Sequence, residues 1–224
     1  MYKSLSITVI IPCLNEEQGI EKVLRAMPEF VDEVIVVDNN STDRTSDIAR
    51  ALGAKVVREQ VRGYGRSYKR GFAEATSDLI ITLDGDHSYP VDAISYLIEA
   101  FLHLGVDFLN ASRFPVRDRR GMSLINEIGN LGLSLAMSLL YFRWVRDSQS
   151  GMWVFRRSIL QDMKLESDGM GFSEEIKIEA LRDSRIRFGE ISIVYTSRTG
   201  ETKLNFWRDG MQNLLLLFKK RFLR

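Results

Sequence analysis

Three times within its first 86 residues the chain writes a strand-like apolar run, rich in β-branched side chains, and stops it in proline, asparagine or aspartate. Residues 5–11 end at Pro12, residues 34–37 end in Asp38-Asn39-Asn40-Ser41-Thr42-Asp43, and residues 79–83 end in Asp84-Gly85-Asp86. Between the first two, residues 17–27 carry Ile20, Val23, Leu24 and Met27 at helical spacing. Residues 54–57 and 106–110 predict further strands. Residues 66–75 and 91–104 predict further helices, and Ser41 or Thr42 is expected to cap the helix holding Ile48, Ala49 and Leu52. Strands alternating with helices over short connections predict an α/β protein: a Rossmann-like, mostly parallel mixed sheet flanked by helices.

Ligands of such sheets collect beyond the carboxyl ends of the strands. The segments 12–17, 38–43 and 84–86 are therefore expected to converge on one crevice. The second half is less regular. A basic, turn-rich stretch at 113–121 precedes a long apolar helix expected over 122–144, then a strand at 151–157, a helix at 173–182, and one or two strands within 187–195. An amphipathic helix over 204–222 ends in Lys219, Lys220, Arg221 and Arg224.

Asp84-Gly85-Asp86 carries the sharpest chemistry. Two carboxylates one residue apart, just past a buried strand, can share a hard divalent ion that also takes phosphate oxygens. Such an ion stabilises a leaving diphosphate as a Lewis acid. Asp and Gly are also ordinary turn residues, and it is the position after the fourth strand that favours the metal reading. Asp38 ends its strand facing the crevice, where it can accept hydrogen bonds from a base or ribose, whereas Ser41, Thr42 and Asp43 read as an Asx-turn and helix cap. Arg62-Gly63-Tyr64-Gly65 is either a plain glycine turn or a loop that lets backbone N–H groups and Arg62 approach a ligand.

Composition narrows the field. At 224 residues the chain suits one domain, and a net charge of +1 gives no footprint for nucleic acid. Cys13 is the only cysteine and His87 and His103 the only histidines. That disfavours zinc, and points to oxygen-held Mg²⁺ or Mn²⁺ and to a reducing compartment. Met1-Tyr2-Lys3-Ser4 leads straight into the first strand, so no signal peptide is expected. No apolar stretch reaches the ~20 residues that span a bilayer.

Taken in order, several segments resemble family 2 glycosyltransferases, and especially the polyprenyl- (dolichyl-) phosphate sugar synthases. The matching residues are Ile10-Ile11-Pro12-Cys13-Leu14-Asn15-Glu16, Val36-Val37-Asp38-Asn39-Asn40-Ser41-Thr42-Asp43, Arg62-Gly63-Tyr64-Gly65, Asp84-Gly85-Asp86 through Pro90, and Ser112-Arg113. They continue in Asp147-Ser148-Gln149-Ser150-Gly151-Met152, Glu175, Tyr195 through Arg198, Gly200, Lys203 and Leu204. The resemblance implies a glycosyltransferase A-type fold and inverting transfer of a hexose from a UDP-sugar or GDP-mannose to a polyprenyl or dolichyl phosphate. It implies that Pro12, Leu14, Glu16 and Asp38 hold the nucleoside, with Arg62, Gly65 and Glu175 also on the donor side. Asp84 and Asp86 would manage metal and sugar diphosphate, and Arg113, Ser150, Arg198 and Lys203 would gather the donor and acceptor phosphates. Residues 1–111 would form the nucleotide-sugar half of one domain, 112–203 the acceptor half, and 204–224 the amphipathic helix. A lipid acceptor further implies peripheral contact with the cytoplasmic face of a membrane, through residues 129–142 and the basic C-terminal helix. Those same helices offer a core-packing face or a homodimer face.

Two departures from the family pattern stand out. Some relatives place a metal-binding Gln two residues past the second Asp, where this chain has Ser88. Many carry an Arg in the long helix where this chain has Leu124-Ile125-Asn126-Glu127, which shifts acceptor binding toward Arg117, Arg119 or Arg120. The alternative within the family is transfer to a sugar or glycolipid hydroxyl, which needs a general base such as Glu174, Glu175 or Asp147. A nucleotidyltransferase is disfavoured because residues 12–17 lack glycine and basic residues. A non-catalytic nucleotide-sugar scaffold is the reading outside enzymes.

Overall fold

The computed structural model describes residues 2–200 and 206–223. Its strands are β1 (Ile7–Cys13), β2 (Glu33–Asp38), β3 (Lys55–Arg58), β4 (Leu79–Thr82), β5 (Phe108–Ser112), β6 (Trp153–Arg156) and β7 (Phe188–Ser192). Its α-helices are α1 (Glu17–Arg25), α2 (Thr45–Ala51), α3 (Tyr64–Glu74), α4 (Ile94–Leu104), α5 (Leu124–Tyr141), α6 (Phe172–Arg182) and α7 (Phe206–Phe222). The strands form one mixed sheet in the order β3-β2-β1-β4-β6-β5-β7. Only β6 runs antiparallel to its neighbours.

Every residue of β1 is buried, as expected of a central parallel strand covered on both faces. Alternate side chains divide between two cores. Ile7, Val9 and Ile11 meet Ile20 and Val23 of α1 and Leu97, Ile98 and Phe101 of α4. Ile10, on the other face, meets Tyr68 and Phe72 of α3, Trp153 and Phe155 of β6, and Phe172 and Ile176 of α6. A third cluster joins α5, α6 and α7 through Met137, Tyr141, Ile178, Leu181 and Leu217.

Three local expectations change. The start of helix α2 is held not by Ser41 or Thr42 but by Asp43, which stands one residue before the N-cap Arg44 and accepts from the Thr45 N–H on Oδ1 at 3.0 Å. The expected strand or strands within 187–195 resolve into β7 and then an irregular segment. That segment lies along the loop after β4, with the Thr196 and Thr199 N–H groups donating to the Ser88 and Asp86 carbonyls. The long helix stops at Tyr141, where Phe142 takes a left-handed C-cap conformation.

Candidate active site

The carboxyl ends of β1 and β2 are in register, Cys13 opposite Asp38, so the loops that leave them are stitched together. Asn15 N–H donates to Ser41 Oγ, Thr42 N–H to Asn15 Oδ1, Glu16 N–H to Thr45 Oγ1, and Glu17 N–H to Asp43 Oδ2. Asp38 is drawn into this stitching: Oδ1 accepts from the Ser41 N–H and Oδ2 from the Ser46 hydroxyl. Both oxygens of a carboxylate expected to face a nucleoside therefore hold the loop's own shape. Asn39 fixes the next loop, accepting from the Gly63 N–H and donating to the Glu59 and Val61 carbonyls.

Asp84 and Asp86 follow β4 directly, and two glycines let the chain pass there. A Cβ on Gly85 would lie 2.5 Å from Cys13 Sγ, and one on Gly19 of α1 would lie 2.4 Å from the Gly85 carbonyl oxygen. Asp86 is buried, and its Oδ1 accepts from the Ser88 hydroxyl at 2.6 Å and the Ser88 N–H at 3.0 Å. Ser88 thus orients Asp86 from the position where some relatives carry Gln. Asp86 Oδ2 faces Arg198 Nη2 at 3.3 Å, and the same guanidinium reaches Glu16 Oε1 at 3.6 Å. Arg198 Nε is buried and has no hydrogen-bond partner among the described residues. Asp84 Oδ1 accepts from the Tyr64 hydroxyl at 3.2 Å.

Burial, and then the charge of Asp86, push the Asp84 carboxyl up to about 7 against the pull of Tyr64 and Arg198. Two crowded carboxylates of this kind want either a proton or a cation between them. The pair therefore fits a hard divalent ion. No cluster of three or more His, Cys, Asp or Glu side chains suited to a metal occurs among the described residues, so water and ligand phosphate would complete its shell.

A family model described as "Glycosyl transferase family 2" matches residues 8–164. The chain belongs to that family. Among curated relatives, it is 31% identical over 208 residues to a dolichyl-phosphate hexose transferase of Haloferax volcanii, covering 91% of this chain and 89% of that one. It is also 31% identical to the low-salt glycan biosynthesis hexosyltransferase Agl6 of the same organism, over 93% of this chain and 52% of the relative. The fold matches that of glucosyl-3-phosphoglycerate synthase from Mycobacterium tuberculosis, solved with Mn²⁺, UDP-glucose and phosphoglyceric acid. There the TM-score is 0.78 at 23% identity, over 97% of this chain and 80% of that one. The mixed seven-stranded sheet is accordingly a glycosyltransferase A-type fold.

The remaining sequence-predicted residues of this glycosyltransferase fall into two groups. Pro12 lies buried in β1, Leu14 and Glu16 lie in the loop that follows it, and Arg62 is exposed beside the Asn39-held loop. Lys203 lies outside the described residues. The others are turned inward. Arg113 is buried and forks onto Asp147, with Nε and Nη2 each 2.8 Å from a carboxylate oxygen, and it lies 5.4 Å over the Tyr195 ring. Ser150 is buried and donates to the Ala111 carbonyl at 2.6 Å. Gly65 allows close packing on the Ser167 carbonyl, 2.3 Å from where its Cβ would be. Glu175 is fully buried, accepts from the Glu166 and Ser167 N–H groups, and pairs with Lys220 at 2.7 Å.

The same burial covers all three carboxylates considered as general bases. Burial pushes Asp147 up, but Arg113 more than offsets it and holds the carboxyl below its ordinary range. Burial pushes Glu174 up to about 8, and its Oε1 accepts from Gln149 Nε2. Sequence reasoning missed Tyr64 and Tyr89 as members of the site's wall. Tyr89 accepts from the Gly151 N–H at 2.6 Å, and a Cβ on Gly151 would lie 2.5 Å from the Tyr64 hydroxyl. Their signal was present only as aromatics flanking the glycine and aspartate motifs.

Proposed function

We propose that this glycosyltransferase transfers a hexose, with inversion, from a UDP-sugar or GDP-mannose to a polyprenyl or dolichyl phosphate. The observation that carries this reading is the sequestration of Asp147, Glu174 and Glu175. A hydroxyl acceptor needs a base to take its proton. All three are buried, Asp147 and Glu175 are held in ion pairs, and Glu174 is pushed by burial up to about 8, toward its protonated form. A phosphate monoester, whose second pKa is about 6, arrives ionised and needs none. What it needs is cationic help against the donor's diphosphate. Arg198, whose buried Nε beside Asp86 is unpaired among the described residues, has donors to spare for a phosphate. The dolichyl-phosphate hexose transferase among the relatives supports the same acceptor class.

Asp84 and Asp86 would hold Mg²⁺ or Mn²⁺, which when bound supplies Lewis-acid stabilisation of the leaving diphosphate. Ser88 fixes Asp86 and Tyr64 fixes Asp84, so both carboxylates are oriented before the ion arrives. The loops 12–17 and 38–45, rigidified by their mutual hydrogen bonds, would hold the nucleoside. Among the described residues no helix is long and apolar enough to cross a membrane. Peripheral contact with the cytoplasmic face is proposed instead, through the exposed apolar stripe of α5 and the outer face of α7.

The test is a comparison of acceptors. Purified protein with Mn²⁺ is offered UDP-glucose, UDP-N-acetylglucosamine or GDP-mannose, together with a short polyprenyl phosphate or the corresponding polyprenol. Transfer to the phosphate and not to the alcohol is expected with one donor. Transfer to the alcohol, or to a sugar hydroxyl in preference, would replace this reading with the hydroxyl-acceptor one.

A further inference from the structure

Lys177 is the one lysine in the middle of α6, and it is completely buried. Its ammonium donates to three backbone carbonyls: Ser150 at 2.7 Å, Ser173 at 2.8 Å and Ser148 at 3.0 Å. It also lies 5.0 Å from the centre of the Trp153 ring. Among the described residues it forms no ion pair within 4.0 Å with a carboxylate. A buried charge without a partner carboxylate is costly, and here the three carbonyl hydrogen bonds are what offset that cost. Burial pulls its pKa down to about 7, while three carbonyls converging on one nitrogen select the form that has three protons to give.

Two of the three carbonyls belong to the turn 147–151, whose two ends lead toward the site while its middle is tied to the helices behind it. Asp147 holds Arg113. Gln149 takes its amide to Glu174 and its carbonyl to Asn213 of α7. Gly151 accepts from the Thr82 hydroxyl and donates to Tyr89. Its Cα faces both the Tyr64 hydroxyl and the Asp84 carboxylate, whose oxygens would lie 3.5 Å from a Cβ placed there.

We propose that Lys177 is a positioning residue for sugar transfer: its ammonium, held by α6, sets the turn 147–151 that forms the wall beside Asp84 and aims the Asp147–Arg113 pair. The inference rests on the assignment of the transfer site to Asp84 and Asp86. Lys177 touches neither substrate nor metal, and it acts through the turn.

The experiment follows turnover and thermal melting of Lys177→Ala and the near-isosteric Lys177→Met, alongside wild type. The strands β1 and β2 are untouched, so donor KM is expected to stay within about twofold, while kcat falls by about tenfold or more, as misplacement of a reacting geometry commonly costs. In Lys177→Ala the deleted atoms equal propylammonium, which is expected to restore much of kcat. Propan-1-ol, with the same volume and one donor, and tetramethylammonium, with charge and no donor, are expected not to. Wild-type kcat in Lys177→Met would overturn the proposal, as would equal rescue by propan-1-ol, which would reduce the lysine to filled volume. Should both neutral variants fail to fold, Lys177→Arg keeps the charge but spreads its donors over a planar fork. It is expected to fold with reduced kcat, and wild-type kcat from it would equally overturn the proposal. Wild-type turnover in the same assay separates the two claims: its failure indicts the proposed reaction, whereas loss confined to the variants bears on Lys177.

Discussion

Asp84 titrates in the field of Asp86 and in a buried place, and the resulting shift has a measurable sign. The folded pKa of Asp84 is raised to about 7, above its ordinary carboxyl value. The unfolded chain therefore releases this proton first, and the group's contribution to stability is lost as pH rises from about 4 to about 7. A divalent ion binds the ionised form and offsets that loss, so its stabilisation is expected to grow over the same window. Melting curves with and without a fixed Mn²⁺ concentration, taken between about pH 5 and about pH 7.5, should show a widening gap in wild type and a flat one in Asp84→Asn. A gap that narrows with rising pH would contradict the assignment of Asp84 to the metal. At this scale the carboxylate pair was legible because a strand end gave it a place. The loop-holding bonds of Asp38 were not: an aspartate that caps its own loop and one that faces a ligand have the same local sequence. Lys177 was hidden because Ser-Glu-Glu-Ile-Lys-Ile-Glu reads as a solvated helix face, whereas every residue from Phe172 to Leu181 is buried.

Helices and loops set where those residues meet. α1 presses against the loop carrying Asp84 and Asp86 because Gly19 has no side chain, its absent Cβ falling 2.4 Å from the Gly85 oxygen and 2.8 Å from Asp86 Cα. Gly19→Ala is expected to displace that loop, costing about 1–3 kcal/mol in overpacking and about tenfold or more in kcat. Gly132→Ala, on the exposed side of α5 with nothing within 4 Å of the new Cβ, is expected to stabilise by up to about 1 kcal/mol and leave kcat alone. Thermal melts and initial rates on the two proteins check both. Equal behaviour would show that the close approach of α1 is not needed. Most strands and helices were legible from period and turn residues, with ends shifted by up to three residues. The hold on the start of α2 was misplaced because Ser41, Thr42 and Asp43 are all competent caps. Only the tertiary pull of Asn15, which takes the Thr42 N–H, and Ser41's bond to the Asn15 N–H leave Asp43 for the helix.

The whole molecule adds what no single element carries. The antiparallel insertion of β6 between β4 and β5 was not legible, because an apolar run of four residues gives no strand direction. It is this reversal that brings Gly151, just before β6, to the end of β4 and beside Asp84. At the same scale, α5 divides its apolar residues. Met137 and Tyr141 pack inward, while Leu124, Ile128, Leu131, Leu135, Leu139 and Phe142 form an exposed stripe, with Ile128 70% and Phe142 81% accessible. Arg143, Arg146, Lys219 and Arg221 are exposed near its end and on α7, which suits an anionic bilayer surface. Sedimentation with phosphatidylglycerol vesicles is expected for wild type and lost in Ile128→Asp/Leu139→Asp, with turnover of a short acceptor in detergent preserved. A wild-type dimer that ignores vesicles would assign the stripe to self-association instead.

The most direct measurement is release of nucleoside diphosphate by the purified protein, with Mn²⁺ and its preferred donor, as polyprenyl phosphate is added. Metal-dependent transfer to a lipid phosphate requires that release depend on both the metal and the lipid phosphate and disappear in Asp86→Ala. Release that survives in Asp86→Ala, or that proceeds equally without the lipid phosphate, would contradict it.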